Sequence, residues 1–132
     1  MEEFFTRNKA NEGVVLPLSH PDGTASDHWI KVRGVDSDNF RRAESAANRK
    51  AVELAMIDDK EERENAVRDV ELECIASLVA SWSFDKECTT DNVIAFLREA
   101  PQISDSVNRF AARRSEFFSK KSNSSTDGAK PK

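Results

Sequence analysis

The chain has 132 residues, of which 38% are hydrophobic, and this size fits one domain with a core of its own. Residues 119–132 carry four Lys and one Asp, so residues 1–118 carry 16 basic and 23 acidic side chains, a formal charge of −7. Because nucleic-acid binding needs a clustered basic face that neutralises phosphates, this acidic body argues against nucleic acid as the main ligand.

Secretion and membrane insertion are also disfavoured. The first five residues contain two Glu, where a secretory leader needs basic residues followed by an apolar run. No stretch approaches the roughly 20 apolar residues of a membrane span. We therefore expect a soluble protein without membrane contact that stays in the compartment where it is made. Cys74 and Cys88 show no disulfide pattern, and Cys74 falls on an apolar helix stripe, so we expect it to pack.

The amino-terminal part predicts an arm and a β ribbon. Residues 1–12 are polar apart from two phenylalanines and follow no period, which predicts a flexible arm. Residues 14–18 form a short extended run, and residues 28–33 alternate in the manner of a strand. Residues 19–23 between them are rich in turn-forming side chains. The resulting ribbon needs helices to pack on it, because a lone pair of strands is marginally stable.

The first long helix has a recognisable start. Asp36 is its predicted N-cap, and Val35 and Phe40 are spaced as a hydrophobic staple. Apolar side chains, most of them alanine, then recur every three or four residues and define a narrow face for close helix packing: Phe40, Ala43, Ala47, Ala51, Leu54 and Ala55. Residues 58–64 contain no apolar side chain, and the sequence leaves open whether they form a loop or a solvated stretch of helix.

A second helix is predicted over residues 67–82, where apolar side chains from Val67 to Trp82 follow the helical spacing with one interruption. Its wide apolar arc predicts the most buried helix of the domain.

A third, short helix is predicted after Thr89, which is its expected cap, with Cys88 and Val93 as the staple. Pro101 ends this helix because proline has no backbone N–H to donate to the preceding turn. A last helix extends from residue 103 toward residue 118.

The predicted fold class is mainly α, with about four helices and a small N-terminal β ribbon in one domain over residues 13–118. The flexible arm of residues 1–12 precedes this domain. Residues 119–132 follow it, and their Ser-, Lys- and Asn-rich composition predicts a disordered tail.

Catalytic and metal-binding chemistry has few candidates. His20 and His28 are the only imidazoles, and no third ligand is spaced to complete a metal site with them. The four glycines are scattered, so no phosphate-binding loop is present. Residues 58–64 lack the central glycine and alternating ligands of a calcium loop, which favours a solvated charge run. We therefore predict no catalytic residue, no metal, no cofactor, and a protein that is not an enzyme.

Two arginine pairs precede acidic residues three positions away. Arg41 precedes Glu44, and Arg113 precedes Glu116. This spacing predicts ion pairs on the helix surface rather than a basic patch.

Aromatic side chains remain at both ends of the predicted domain. Adjacent residues on a helix point about 100° apart, so two successive phenylalanines cannot share one narrow seam. An exposed aromatic side chain near a chain end is a typical partner contact, and core packing is the alternative. The candidate partner-binding residues are Phe4, Phe5, Phe117 and Phe118.

Residues 28–37, followed by Phe40 to Ala43, resemble the opening of the tail assembly chaperone family of long-tailed bacteriophages. Later segments recur in the family's order, and the similarity spans about residues 28–118. Each segment alone is compatible with a generic helix or cap, so the ordered series carries the resemblance. These later segments are residues 78–84, 89–93, 97–101 and 107–118.

The resemblance implies that the protein binds another protein and does not catalyse a reaction. Members of the family bind the long, largely helical tape measure protein, keep it soluble and extended, and help recruit tail tube subunits. The resemblance also implies that the protein acts in the host cell cytoplasm and is absent from the mature virion. Family members are often made in two lengths by a ribosomal frameshift, and Ser119-Lys120-Lys121 is compatible with a slippery run. The alanine face and the terminal aromatic residues further predict a weak homo-oligomer.

Two alternative functions stay open at this stage. One is a small phage DNA-binding regulator that uses the basic tail as an arm, although the body is acidic and no helix-turn-helix spacing is evident. The other is a structural head–tail connector, which would remain in the assembled particle.

Overall fold

The computed structural model describes residues 1–118, and the predicted disordered tail of residues 119–132 lies outside them. The fold class is confirmed: the chain is mainly helical with a small antiparallel sheet. Two short 3-10 helices, Glu2–Phe4 and Arg114–Phe117, lie at the ends of the described chain. The elements between them are α1 (Arg7–Glu12), β1 (Val14–Ser19), β2 (Ala25–Val32), α2 (Asp38–Ala55), α3 (Lys60–Ala76), β3 (Val79–Trp82), α4 (Thr90–Glu99) and α5 (Pro101–Ala111).

The predicted ribbon is present, and a third strand extends it. β1 pairs with β2 and β2 pairs with β3, all antiparallel. Ile30 lies opposite Leu16 on one side and Trp82 on the other, so the central strand is anchored from both edges. The turn between β1 and β2 contains Gly23 at a φ of +93°, a left-handed conformation that glycine adopts without a steric penalty.

α2 begins one residue later than predicted. The side chain of Ser37, not Asp36, caps the helix by accepting the backbone N–H of Phe40 at 3.3 Å. The Asp36 carboxylate instead contacts Thr6, Arg41 and Arg114. The prediction was wrong because a carboxylate and a hydroxyl cap equally well, and long-range partners decide between two adjacent candidates.

The charge run that the sequence left open is helical from Lys60 onward. Asp59 caps α3 by accepting the backbone N–H of Glu62 at 2.8 Å. The predicted helix over residues 67–82 is wrong at its carboxyl end, because α3 ends at Ala76 and Trp82 lies in β3. It is also not the most buried helix. Two residues of α3 are buried, whereas five residues of α5 are buried.

The predicted junction between the last two helices is confirmed. Thr89 caps α4 by accepting the backbone N–H of Asn92 at 3.2 Å. α4 ends at Glu99, and Pro101 occupies the first turn of α5. Proline is tolerated there because a backbone N–H at this position would have no partner within the helix.

The core lies between the sheet and α5, with α4 and the end of α3 closing it. Its fully buried large side chains come from the sheet, from the turn between α3 and β3, from both carboxyl-terminal helices and from the final 3-10 helix: Ile30, Val32, Leu78, Leu97, Val107 and Phe117. α2 contributes no buried residue to it.

The prediction of a flexible arm over residues 1–12 is wrong for its second half. Residues 7–12 form α1, and Ala10 is fully buried against the core. Arg7 bonds the carboxylate of Asp38, and the Asn11 side chain accepts the backbone N–H of Asp38 at 2.7 Å. The sequence does not predict this helix, because one buried alanine in six residues produces no periodic apolar pattern.

Within residues 1–118, no helix is long and apolar enough to cross a membrane.

Candidate partner-binding surface

The helical hairpin α2–α3 has one half without a core behind it. No residue from 38 to 71 is buried, whereas Leu72 and Ala76 at the end of α3 reach the core. α2 packs mainly on α3, and α3 packs on α4 and α5. The loop end of the hairpin is therefore held by the pairing of its two helices rather than by the body of the domain.

Polar contacts hold this hairpin in its geometry. Arg63 donates from Nη1 to the carbonyl oxygen of Ile57 at 2.8 Å and thereby closes the loop between the helices. Lys50 on α2 pairs with Glu73 on α3, Nζ to Oε1 at 3.4 Å. Arg98 on α4 pairs with Asp69, Nη2 to Oδ1 at 2.8 Å, and so ties α3 to the body. All four residues of these two ion pairs are exposed, so each pair contributes little to stability.

An apolar groove of about 300 Å³ runs between α2 and α3 near the loop. We call it the hairpin groove. Side chains of both helices line it: Ala47, Ala51, Leu54 and Ala55 of α2, and Arg63, Val67, Val70 and Glu71 of α3. The small alanines make the groove, because they leave space between the helices that larger side chains would fill. The narrow alanine face predicted from the sequence thus forms one wall of an open groove.

Large apolar side chains at the loop end of the hairpin are exposed. Val52 is 70% exposed, Met56 is 77% exposed, and Val67 in the groove wall is 39% exposed. Val52 and the C-cap residue Met56 are four positions apart and so share one face of the helix, which is turned by about 100° or more from the side chains of Ala47, Ala51 and Leu54 that line the groove. Single exposed apolar residues are normal on protein surfaces, but contiguous ones mark interaction sites. The hairpin groove is the apolar surface best suited to a protein partner, and Val52 and Met56 add exposed apolar area at the same end of the hairpin.

Charged side chains surround the loop end of the hairpin. The segment from Asp58 to Glu64 carries five acidic and two basic side chains, and all but Arg63 are exposed. The apolar groove therefore opens beside a strongly solvated acidic rim. A charged rim around an apolar centre is the usual composition of a protein-binding site.

The four phenylalanines predicted to bind a partner differ in their exposure to solvent. Phe4 and Phe5 are 76% and 51% exposed, at the amino-terminal end of the chain. Phe117 is 1% exposed and packs edge-on against Phe110, with ring centroids 5.9 Å apart. Phe118 is half-buried. The prediction of an exposed partner contact is therefore wrong for Phe117, because the chain folds back after α5 and inserts this ring into the core.

The two exposed phenylalanines do not join the hairpin groove. They precede α1, whose Arg7 contacts Asp38 at the first turn of α2, whereas the groove lies along the last two turns of that helix. Sequence reasoning found the alanines of the groove but assigned them to close packing. It missed Val52 and Met56, which lie outside the narrow alanine face. Their exposure depends on how far the hairpin extends past the core.

The histidines lie near a second, smaller apolar depression of about 180 Å³. His28 on β2 stacks on Phe84 with ring centroids 4.7 Å apart, and its Nδ1 lies 3.0 Å from the Ser83 hydroxyl oxygen. His20 lies in the turn between β1 and β2. Among residues 1–118, no three side chains of His, Cys, Asp or Glu gather where they could hold a metal ion.

Both cysteines are free thiols and half-buried. Burial raises the pKa of Cys74 and of Cys88 above its ordinary value, so both thiols stay protonated at neutral pH. The Cys74 thiol lies 3.7 Å from the carbonyl oxygen of Ala43, at the packed base of the hairpin. These thiols are poor nucleophiles, which fits the packing role expected for Cys74.

Comparison with family models, with curated proteins and with solved structures finds no match for this chain.

Proposed function

We propose that this chain is a tail assembly chaperone that binds apolar helical segments of a phage tape measure protein through the hairpin groove. The resemblance over residues 28–118 supplies the identity of the partner. The observation that carries the binding surface is the open apolar groove between α2 and α3, with exposed Val67 in its wall.

The groove suits a helical ligand. A helix that presents apolar residues every three or four positions would lie between α2 and α3 and complete a three-helix arrangement. Burying one exposed Val or Met side chain stabilises a complex by about 1.5–3 kcal/mol, and the ordering of side chains offsets part of this gain. Several such contacts per chain give moderate affinity, which suits a chaperone that must leave its client.

The acidic rim explains how a chaperone would keep such a client dispersed. A tape measure protein exposes apolar helical faces until the tail tube closes around it, and exposed faces of this kind aggregate. Copies of this chain would cover these faces, and the charge of −7 over residues 1–118 would make the coated client repel other coated clients. In this proposal the protein acts in the host cell cytoplasm, catalyses no reaction and is absent from the mature virion.

The recruitment of tail tube subunits is proposed for a longer, frameshifted form of the chain. A head–tail connector would instead remain in purified particles, and a DNA-binding regulator would shift duplex DNA in a salt-dependent manner. Immunoblotting of purified particles and a gel shift distinguish these two alternatives from the chaperone.

Coexpression tests the proposal directly. A tape measure protein from the same phage, made alone, should be largely insoluble, and it should become soluble when this chain is present. Val67→Glu places a charge in the groove wall and should abolish the rescue. Val15→Glu is the matched control, because Val15 is 49% exposed on β1, outside the groove. Rescue that survives Val67→Glu would reject the groove, and no rescue by the unmodified chain would reject the function.

A further inference from the structure

A third cavity, of about 310 Å³, lies where α2, α3, β3 and the start of α4 meet. Unlike the hairpin groove, it has a largely polar lining. Six of its lining residues matter here: Arg33, Asn39, Arg42, Glu73, Thr89 and Thr90. We call it the arginine pocket. It lies at the base of the hairpin, at the end away from the loop between α2 and α3.

Arg33 is a half-buried cation without a counter-ion. Its Nη1 donates to the carbonyl oxygens of Ser77 and Val79, both at 3.1 Å, and these acceptors are neutral. Its Nε is buried and has no hydrogen-bond partner among the described residues. Burial lowers the pKa of Arg33 below its ordinary value, because the charge has lost part of its hydration. An uncompensated guanidinium of this kind is costly, and an anion beside it would remove the cost.

Arg42 brings a second positive charge to the same wall. Among residues 1–118, no carboxylate oxygen lies within 4.0 Å of the guanidinium nitrogens of Arg33 or Arg42. Glu73 is the single carboxylate of the lining, and Lys50 pairs with it. The pocket therefore concentrates two arginines without a carboxylate of residues 1–118 in direct contact, in a body whose overall charge is negative; Arg42 interacts with Asp38 only through space, which helps to lower the pKa of that carboxyl.

Neutral donors complete the lining. Thr90 carries a hydroxyl and Asn39 an amide, and both line the cavity. Thr89 and Thr90 also lie at the start of the ten-residue helix α4, whose first backbone N–H groups have no partner within the helix. The positive end of the helix dipole adds to the field of the two arginines.

We propose that the arginine pocket binds an oxyanion, the carboxylate or phosphate group of a small ligand, between Arg33 and Arg42. Nη2 of Arg33 and the guanidinium of Arg42 have no hydrogen-bond partner among residues 1–118, and each offers a charged donor of the kind that such groups accept. This site does not depend on the proposed chaperone function, because it shares no lining residue with the hairpin groove.

The test is a titration of the full chain, labelled with ¹⁵N, with sodium phosphate and separately with sodium acetate, against sodium chloride at matched ionic strength. We expect saturable shifts of the backbone amide signals of Ala80 and Thr90, which both line the pocket. Saturation with phosphate alone assigns a phosphate ligand, and saturation with acetate alone assigns a carboxylate ligand.

Arg42→Gln is the decisive variant, because Arg42 is exposed and its loss should leave the fold intact. It should weaken binding roughly tenfold, the effect of losing one charge-assisted hydrogen bond. Arg49→Gln is the matched control, an exposed arginine two turns along the same helix and outside the pocket. Shifts that match the chloride series, or that persist equally in Arg42→Gln, would overturn the proposal.

Discussion

Arg114 holds the carboxylate of Asp36 with two hydrogen bonds, from Nε to Oδ2 at 2.8 Å and from Nη2 to Oδ1 at 3.0 Å. The two residues are 78 positions apart, so this contact ties the final 3-10 helix to the start of α2. Thr6 donates to the same carboxylate at 2.7 Å, and Arg41 donates to it at 3.1 Å. One side chain thereby joins three separate parts of the chain.

Asp36 should make stability depend on pH. Hydrogen bonds, that from Arg114 foremost, hold the pKa of Asp36 at about 2, below its ordinary 3.8. A depressed pKa means that the folded state favours the charged form, so its contribution is complete above pH 3.8 and is lost as the pH falls toward 2. Asp36→Asn should lower the free energy of unfolding by about 1–3 kcal/mol at pH 7, the range for hydrogen bonds to a charged group.

Urea denaturation between pH 2 and pH 7 measures this effect. The difference in the free energy of unfolding between the unmodified chain and Asp36→Asn should become smaller below pH 4. Asp58→Asn serves as the control, because Asp58 is exposed in the loop of the hairpin. If this difference in the free energy of unfolding stayed constant over the whole pH range, ionisation of Asp36 would not be the cause of the stabilisation.

Trp82 should be a main support of the core. It is 9% exposed, its Nε1 donates to the carbonyl oxygen of Lys86 at 2.7 Å, and its ring packs edge-on against Phe84 and Phe96. Trp82→Ala should cost about 3–5 kcal/mol, the usual effect of truncating a buried aromatic side chain. Trp82→Phe keeps a ring and should cost less. Equal denaturant midpoints for Trp82→Ala and the unmodified chain would contradict this burial.

The burial of Trp82 was predictable from the sequence, but its place in a strand rather than a helix was not. Val79 and Trp82 are both buried in β3, although side chains three apart on a regular strand point to opposite faces. A register shift between Lys31 and Val32 in the pairing of β2 with β3 allows this arrangement. The resulting spacing of three is also the spacing of a helix, so the apolar pattern of α3 continues into the strand without a visible break.

The candidate surfaces were harder to predict than the fold. Thr89 and Pro101 act locally, through caps and missing donors, so their roles could be inferred from neighbouring residues. The hairpin groove exists because α2 and α3 extend past the core, which no local pattern encodes. Arg33 lies next to the strand β2, and only the folded chain shows that its charge has no carboxylate partner within residues 1–118.

Gly34 should tolerate no side chain. A Cβ at this position would lie 2.9 Å from the Cβ of Ala10 and 3.1 Å from Cγ of Phe117, closer than normal contacts. Gly34→Ala should therefore cost about 1–3 kcal/mol through overpacking. Adding Ala10→Gly removes the nearest clashing atom, so the double variant should cost less than the sum of the two single variants in thermal denaturation. Additive costs would indicate that the two positions do not touch.

Self-association should occur through the hairpin groove. Ala43 and Ala47 are half-buried and Ala51 is exposed, and both Ala47 and Ala51 line the groove. Two copies that face each other at this surface would bury apolar area without a change in fold, so we expect small oligomers at high concentration. Sedimentation equilibrium of the unmodified chain and of Val67→Glu measures this tendency. A monomeric mass across the whole concentration range, or oligomers unaffected by Val67→Glu, would contradict the prediction.

The boundary of the folded domain should fall directly after Phe118. The last buried side chain of the described residues is Phe117, which fills space beside Phe110 and Gly34. Removing residues 119–132 keeps this ring, so the free energy of unfolding should change by less than about 0.5 kcal/mol.

A chain that ends at Glu116 is the matched comparison, since it is only two residues shorter but loses Phe117. This truncation should cost about 3–5 kcal/mol, because it removes a buried aromatic ring from the core. Solubilisation of the tape measure protein should survive the first truncation, since residues 47–71 form the hairpin groove and all of them are kept. If removal of residues 119–132 alone destabilised the domain or abolished solubilisation, those residues would belong to the functional unit and not to a dispensable tail.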